Sequence, residues 1–176
     1  MSRPRIRITV LCEDKQHETF IRRFLKKRNK HSPVYVVPRP NKGAGEQFVR
    51  DTYPKYLDAV RKRGGILVAM IDGDKYSMEQ RLKQMDEACK QKGVLPRKPG
   101  DKVAVFVPMR NIETWFAYLD GEHVNETDTY PRLQPQRECQ RHVNVLVQMY
   151  VEKNLRTPAP ASLEAACREY ENILPH

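Results

Sequence analysis

The sequence predicts an α/β domain in which a mostly parallel four-stranded sheet is flanked by helices and followed by a helical extension. Three observations carry this expectation. Short β-branched or apolar runs alternate four times with longer stretches of helical periodicity, the rhythm of β-α units. Two of the runs, Ile66–Ile71 and Val103–Val107, are apolar throughout, as strands covered on both faces must be. The chain has 176 residues, 39% apolar and 31% charged, enough to bury one core and too apolar for disorder throughout.

The elements follow in order. RIRITVLC (5–12) alternates Arg5, Arg7 and Thr9 with Ile6, Ile8 and Val10, a strand with one apolar face. From about Lys15 to Asn29, Phe20, Ile21, Phe24 and Leu25 share a helical stripe. Val34–Val37 is a second strand closed by Pro38, and a loop runs from Pro38 to Glu46. A helix from about Gly45 to Arg63 buries Phe48, Val49, Tyr53, Tyr56, Leu57 and Val60, and Pro54 is expected to kink or split it. Gly64-Gly65 stops that helix before the third strand, near 66–72. Ser77-x-x-Gln80 reads as a capping box opening a helix with Met78, Leu82, Met85 and Cys89 on one side. After a fourth strand near 103–107, Asn111 can cap a helix carrying Ile112, Trp115, Phe116 and Leu119. Further helices are expected near Gln136–Asn154 and from Ser162 through Ile173. Residues 1–120 thus form the α/β core, and residues 121–176 a loop and helices packed on the same domain.

Charge is distributed unevenly. Residues 1–63 hold 17 Lys/Arg and 6 Asp/Glu, a balance of +11, while residues 64–176 balance at −1, so the first third carries the whole net charge of +10. Such asymmetry suits a polyanion partner, because phosphate neutralisation with counterion release dominates nucleic-acid affinity. Lys15, Arg22, Lys26 and Lys42 are the candidate nucleic-acid contacts, although basic helices are also commonly just solvated. The longest apolar run is six residues, far short of the ~20 that cross a bilayer. MSRPRIRITVL lacks the apolar region of a signal peptide. A cytoplasmic protein with no membrane partner is expected. Cys12, Cys89, Cys139 and Cys167 are widely spaced, which argues for reduced thiols rather than a disulfide framework. Cys139-x-x-His142 lacks the second pair a zinc site needs, and His17 and His31 read as surface histidines.

The carboxyl ends of parallel strands form the ligand edge of an α/β sheet. Glu13 follows the first strand, and Asp72 and Asp74 follow the third as IDGD, where Gly73 allows a tight turn that aims both carboxylates outward. Mg²⁺ takes a few carboxylates with waters and phosphate oxygens, and Glu13, Asp72 and Asp74 can supply them; without a cation their crowding is unfavourable. Lys75 adjoins this cluster. The loop Asn41–Gly45 is basic and glycine-rich but lacks the Gly-Lys-Ser/Thr ending of a P-loop.

Several segments together resemble the Toprim domain. ITVLCEDKQHETFIRRFL is similar to the acidic first motif of the overcoming-lysogenization-defect nucleases and of small stand-alone Toprim-like proteins from bacterial defence loci. VAMIDGDKYS resembles their second motif, PMRNIETWFAYLDG a third block, and PASLEAACREY their C-terminal helix. The family places Gly directly after its first Glu; here Asp14 holds that place and one extra residue precedes Glu18. Glu13 and Glu18 therefore both match the acidic position, with Glu13 preferred at the strand end. The resemblance implies a Toprim-like, Rossmann-like fold and metal-dependent phosphodiester cleavage of DNA or RNA, tRNA included. It implies Mg²⁺ or Mn²⁺ on Glu13, Asp72 and Asp74, catalytic roles for these with Glu113 and Lys75, and phosphate contacts from Lys15, Lys42 and Lys75. It further implies an ATPase partner of the ABC or structural-maintenance type, encoded alongside, in anti-phage defence; self-association is left open. The rival readings are a non-catalytic module with a degenerate site that binds nucleic acid and docks the ATPase, and an enzyme of small phosphorylated metabolites.

Overall fold

The computed structural model describes residues 5–42, 45–134 and 138–173. The elements are β1 (Ile8–Cys12), α1 (Lys15–Arg28), β2 (Val34–Val36), α2 (Glu46–Arg63), β3 (Ile66–Met70), α3 (Met78–Gln91), β4 (Val103–Phe106), α4 (Glu113–Leu119), α5 (Gln140–Val151) and α6 (Ala161–Ile173). The strands form one sheet in the order β2-β1-β3-β4, and every neighbouring pair is parallel.

Strand alternation divides the core into two layers. Ile8, Val10 and Cys12 of β1, Val68 and Met70 of β3 and Ala104 and Phe106 of β4 pack with α1, α4, α5 and α6. Leu11, Leu67, Ala69, Val103 and Val105 pack on the opposite face with Val49, Tyr53 and Leu57 of α2 and Met85 and Cys89 of α3. The chain runs from β1 over one face to β2, then returns over the other face to β3 on the far side of β1. The connections therefore diverge between β1 and β3, and the carboxyl ends of these two strands flank the crevice where α/β sheets bind ligands.

Several boundaries differ from expectation. Residues 5–7 precede β1, and α2 runs unbroken through Pro54. Val49, Tyr53, Pro54 and Leu57 are all buried, and this tertiary burial holds the helix where the ring removes one backbone bond. Asn111 does not cap α4. The helix begins at Glu113 with Ile112 in the cap position, and the Asn111 Oδ1 is buried without a partner among the described residues. The start expected for α5 at Gln136, like Gly43 and Ala44 of the glycine-rich loop, lies outside the described residues. The capping box of α3 is present: Gln80 N donates to Ser77 Oγ (3.1 Å) and Ser77 N to Gln80 Oε1 (2.8 Å). The four cysteines are free thiols, and no helix among the described residues is long and apolar enough to cross a membrane.

Candidate active site

β1 and β3 are paired in register, Cys12 opposite Met70, so the residues that follow them leave the sheet side by side. Asp72 N donates to Glu13 Oε1 at 2.7 Å, which joins the two strand ends directly. Asp14 caps α1, its Oδ1 accepting from His17 N at 2.8 Å. That cap starts the helix with His17 turned inward. The His17 ring is fully buried, and its Nε2 lies 2.9 Å from Asp72 Oδ1, while Nδ1 has no partner among the described residues. His17 is therefore not a surface histidine.

The turn after β3 is tied to the segment after β4, because Gly73 N donates to Pro108 O and Asp74 N to Arg110 O, each at 2.8 Å. A Cβ on Gly73 would stand 3.2 Å from Met109 Sδ, Pro108 O and Tyr76 O, so close packing requires the glycine. The left-handed residue of the turn is Asp74, at φ 51°. The two carboxylates diverge instead of both facing outward: Asp72 points in toward His17, and the Asp74 side chain is 54% exposed. Arg81, buried at 1% exposure, sits beneath the turn. Its Nε donates to Asp72 O (2.8 Å), and its guanidinium reaches Asp74 Oδ2 (2.8 Å), Gln84 Oε1 (2.8 Å) and Glu46 Oε2 (3.2 Å).

Burial and the neighbouring Asp72 push the Glu13 carboxyl up to about 8. The same two causes raise Asp74, and burial raises Glu113. For His17, burial opposes the charge, but Asp72 outweighs it and lifts the imidazolium to about 9. Both main shifts act in one direction on stability. Glu13, ordinarily near 4.5, contributes stability present below that value and lost as pH rises through about 8. His17, ordinarily near 6.5, contributes stability present below that value and lost through about 9. Unfolding free energy is thus expected to fall between pH 6.5 and about 9 in the wild type, by on the order of 2 kcal/mol from His17, and by less in His17→Gln, which keeps only the fall from Glu13. Urea midpoints across this range check it; equal slopes in both proteins would show that His17 does not hold its proton against Asp72.

The other expected residues are distributed more widely. Glu113 is 5% exposed, with Arg132 Nε 3.8 Å from its carboxylate. Lys75 is exposed, its ammonium 5.4 Å from the Tyr76 ring centre. Glu18, the other match to the first acidic position, is engaged by Arg39 (2.8 Å), Lys15 (3.3 Å) and Arg22 (3.5 Å). Lys26 and Lys42 are exposed. Cys139 Sγ accepts from Arg23, and His142 faces Asp120 at 3.0 Å, so each side chain has its own neighbour.

Sequence reasoning missed His17, Arg81 and Glu46. Arg81 carried a signal, because it falls on the inward stripe of α3 beside Met78, Leu82 and Met85. Among the described residues no three His, Cys, Asp or Glu side chains stand as a ready metal-ligand group. Glu13 Oε1, Asp72 Oδ1 and Asp74 Oδ2 each already face an internal partner. Compared with known proteins, the chain matches no family model, no curated protein and no solved structure.

Proposed function

We propose that the protein is a Toprim-type enzyme that cleaves phosphodiester bonds of nucleic acid with Mg²⁺ or Mn²⁺. On this reading it is the effector subunit of an ATPase-partnered anti-phage system, with DNA or RNA, tRNA included, as substrate. The observation that supports it is the meeting of Glu13 and Asp72 at the ends of adjacent parallel strands, at the point where the connections diverge. Two carboxylates buried together repel, and the raised Glu13 carboxyl is the mark of that repulsion added to burial. A hard dication relieves it, and oxygen donors are the chemistry it takes. Glu13 and Asp72 would hold the ion, joined by Asp74 once Arg81 releases it and by Glu113. When bound, such an ion polarises a phosphate oxygen and supplies hydroxide from water at neutral pH. Lys15, Lys42 and Lys75, all exposed, would be the side chains that hold the phosphate backbone.

A specific observation favours a second reading. His17 and Arg81 already put internal cations against Asp72 and Asp74, as a degenerate site in a non-catalytic binding and ATPase-docking module would. Thermal melts with and without Mg²⁺ separate the two. Metal binding must displace the Glu13 proton, so on the enzymatic reading Mg²⁺ raises Tm by several degrees at pH 9 and much less at pH 6. No shift at either pH, with Mg²⁺ or Mn²⁺, favours the binding module.

A further inference from the structure

Thr9 lies on the face of β1 that carries Leu11, away from α1, and Arg5 and Arg7, in the segment that leads into the strand, line the same groove. β2 sets Tyr35 opposite Thr9 in the parallel register. From α2, Lys55, Tyr56 and Arg63 come to the same place, spaced so that one helical face presents them. Together they line a groove of about 650 Å³ at the amino end of β1, bordered by the outer strand β2.

Its chemistry is one-sided. Arg5, Arg7, Lys55 and Arg63 all line it, and no Asp or Glu does. Elsewhere in the molecule Arg22, Arg39, Arg50, Arg61, Arg81, Arg97 and Arg141 each pair with a carboxylate. The four groove cations form no ion pair among the described residues. Two of them are set beside aromatic rings instead, with the Arg7 guanidinium 4.4 Å from the Tyr35 ring centre and the Lys55 ammonium 5.7 Å from that of Tyr56. Four like charges without counter-charges are unfavourable unless a polyanion supplies them. Tyrosines interleaved with cations, one of them 37% exposed, add flat surfaces on which bases stack. An anionic membrane is the poorer match: Leu95 and Val151, the other exposed large apolar side chains among the described residues, do not border the groove, which is concave.

We propose that this groove binds single-stranded nucleic acid, its four cations taking successive phosphates while Tyr35 and Tyr56 stack bases. It rests only on the nucleic-acid part of the function proposed above. Arg7 and Glu13 are six residues apart, about 20 Å along the chain, so the groove is a second contact that anchors a strand away from the crevice.

The test uses the full-length protein with Asp72→Asn in EDTA, where no cleavage occurs, so that failure of the cleavage reading leaves it unaffected. Binding of labelled single-stranded DNA and RNA oligonucleotides is measured by fluorescence anisotropy over a salt series. Reversing Arg7, Lys55 and Arg63 to Glu should weaken binding at least tenfold and lower the slope of log affinity against log salt by about 2. Neutral Lys55→Gln with Arg63→Gln, both exposed on α2, should lower the slope by about 1.4 and serves as the milder variant if the reversal lowers Tm. Tyr35→Ala should weaken oligonucleotide binding about tenfold and leave inorganic polyphosphate binding unchanged. Reversing Arg22 and Lys26 on α1 gives the comparison for a basic face outside the groove. Unchanged affinity and slope in the groove variants, or a loss no larger than that from α1, overturns the proposal. Equal loss of oligonucleotide and polyphosphate in Tyr35→Ala overturns the stacking role, and binding to phosphatidylserine vesicles but not to oligonucleotides overturns the ligand class.

Discussion

Asp72→Asn is expected to leave the protein folded and to abolish divalent-cation-dependent cleavage, with a loss of at least about a hundredfold. The substitution keeps the shape of the side chain. Asp72 N can still donate to Glu13, and Asp72 O can still accept from Arg81, because both bonds belong to the main chain. What disappears is the negative charge that would share a cation with Glu13. Sequence reasoning on the crowded carboxylates favours a stability gain from this change, but His17 alters the balance. Neutralising Asp72 relieves Glu13 and at the same time deprives the buried His17 of the charge that stabilises its proton. The two effects oppose, so Tm should move by only a few degrees. Cleavage of single-stranded DNA, duplex DNA and tRNA is to be compared between wild type and variant, with Mg²⁺ or Mn²⁺ and with or without the candidate ATPase. Equal cleavage by both proteins removes Asp72 from the mechanism. No cleavage by the wild type under any of these conditions transfers the assignment to the binding module.

Removing Arg81 should cost about 3 kcal/mol of folding free energy. Arg81 is a charged side chain at 1% exposure whose five-donor fork reaches four acceptors from α2, the β3–α3 turn and α3 itself, with its guanidinium also 4.8 Å from the Tyr76 ring centre. Arg81→Ala strands the Asp72 carbonyl and leaves a cavity. The loss stays toward the lower end for buried ion pairs because Asp74 and Glu46, at 54% and 34% side-chain exposure, can rehydrate. Lys in this position restores one charge but not the fork, so Arg81→Lys should recover less than half of the stability. Urea denaturation with an unchanged m-value measures the difference. A loss under about 1 kcal/mol would mean that the turn after β3 is held by its backbone bonds to the segment after β4.

Local chemistry made much of the fold legible. The run Ile66–Ile71 suits a strand covered on both faces, and it is buried throughout, with β3 spanning Ile66–Met70. Ser77 and Gln80 announce the start of α3 by a reciprocal cap that needs only four residues. Glu13 and Asp72 were readable as strand-end carboxylates for the same reason, since alternation and turn chemistry act within a few residues. Where the signal was equally local but the outcome differed, at Pro54 and Asn111, burial against the sheet outweighed backbone preference.

Tertiary structure alone decided which strands are neighbours. Placing β3 beside β1 brings residues 59 positions apart to a 2.7 Å hydrogen bond, and no periodicity encodes that separation. It also decided the polar interior. His17 looks like a solvent-facing residue of a basic helix, and Arg81 is a charge on the apolar stripe of α3, yet both are buried because carboxylate and carbonyl oxygens at the end of β3 meet them there. A sequence pattern records the average polarity of a face. The sign and position of the partner that makes a buried charge tolerable are set only when distant segments pack, since the energy of a charge inside a protein depends on the few ångströms around it.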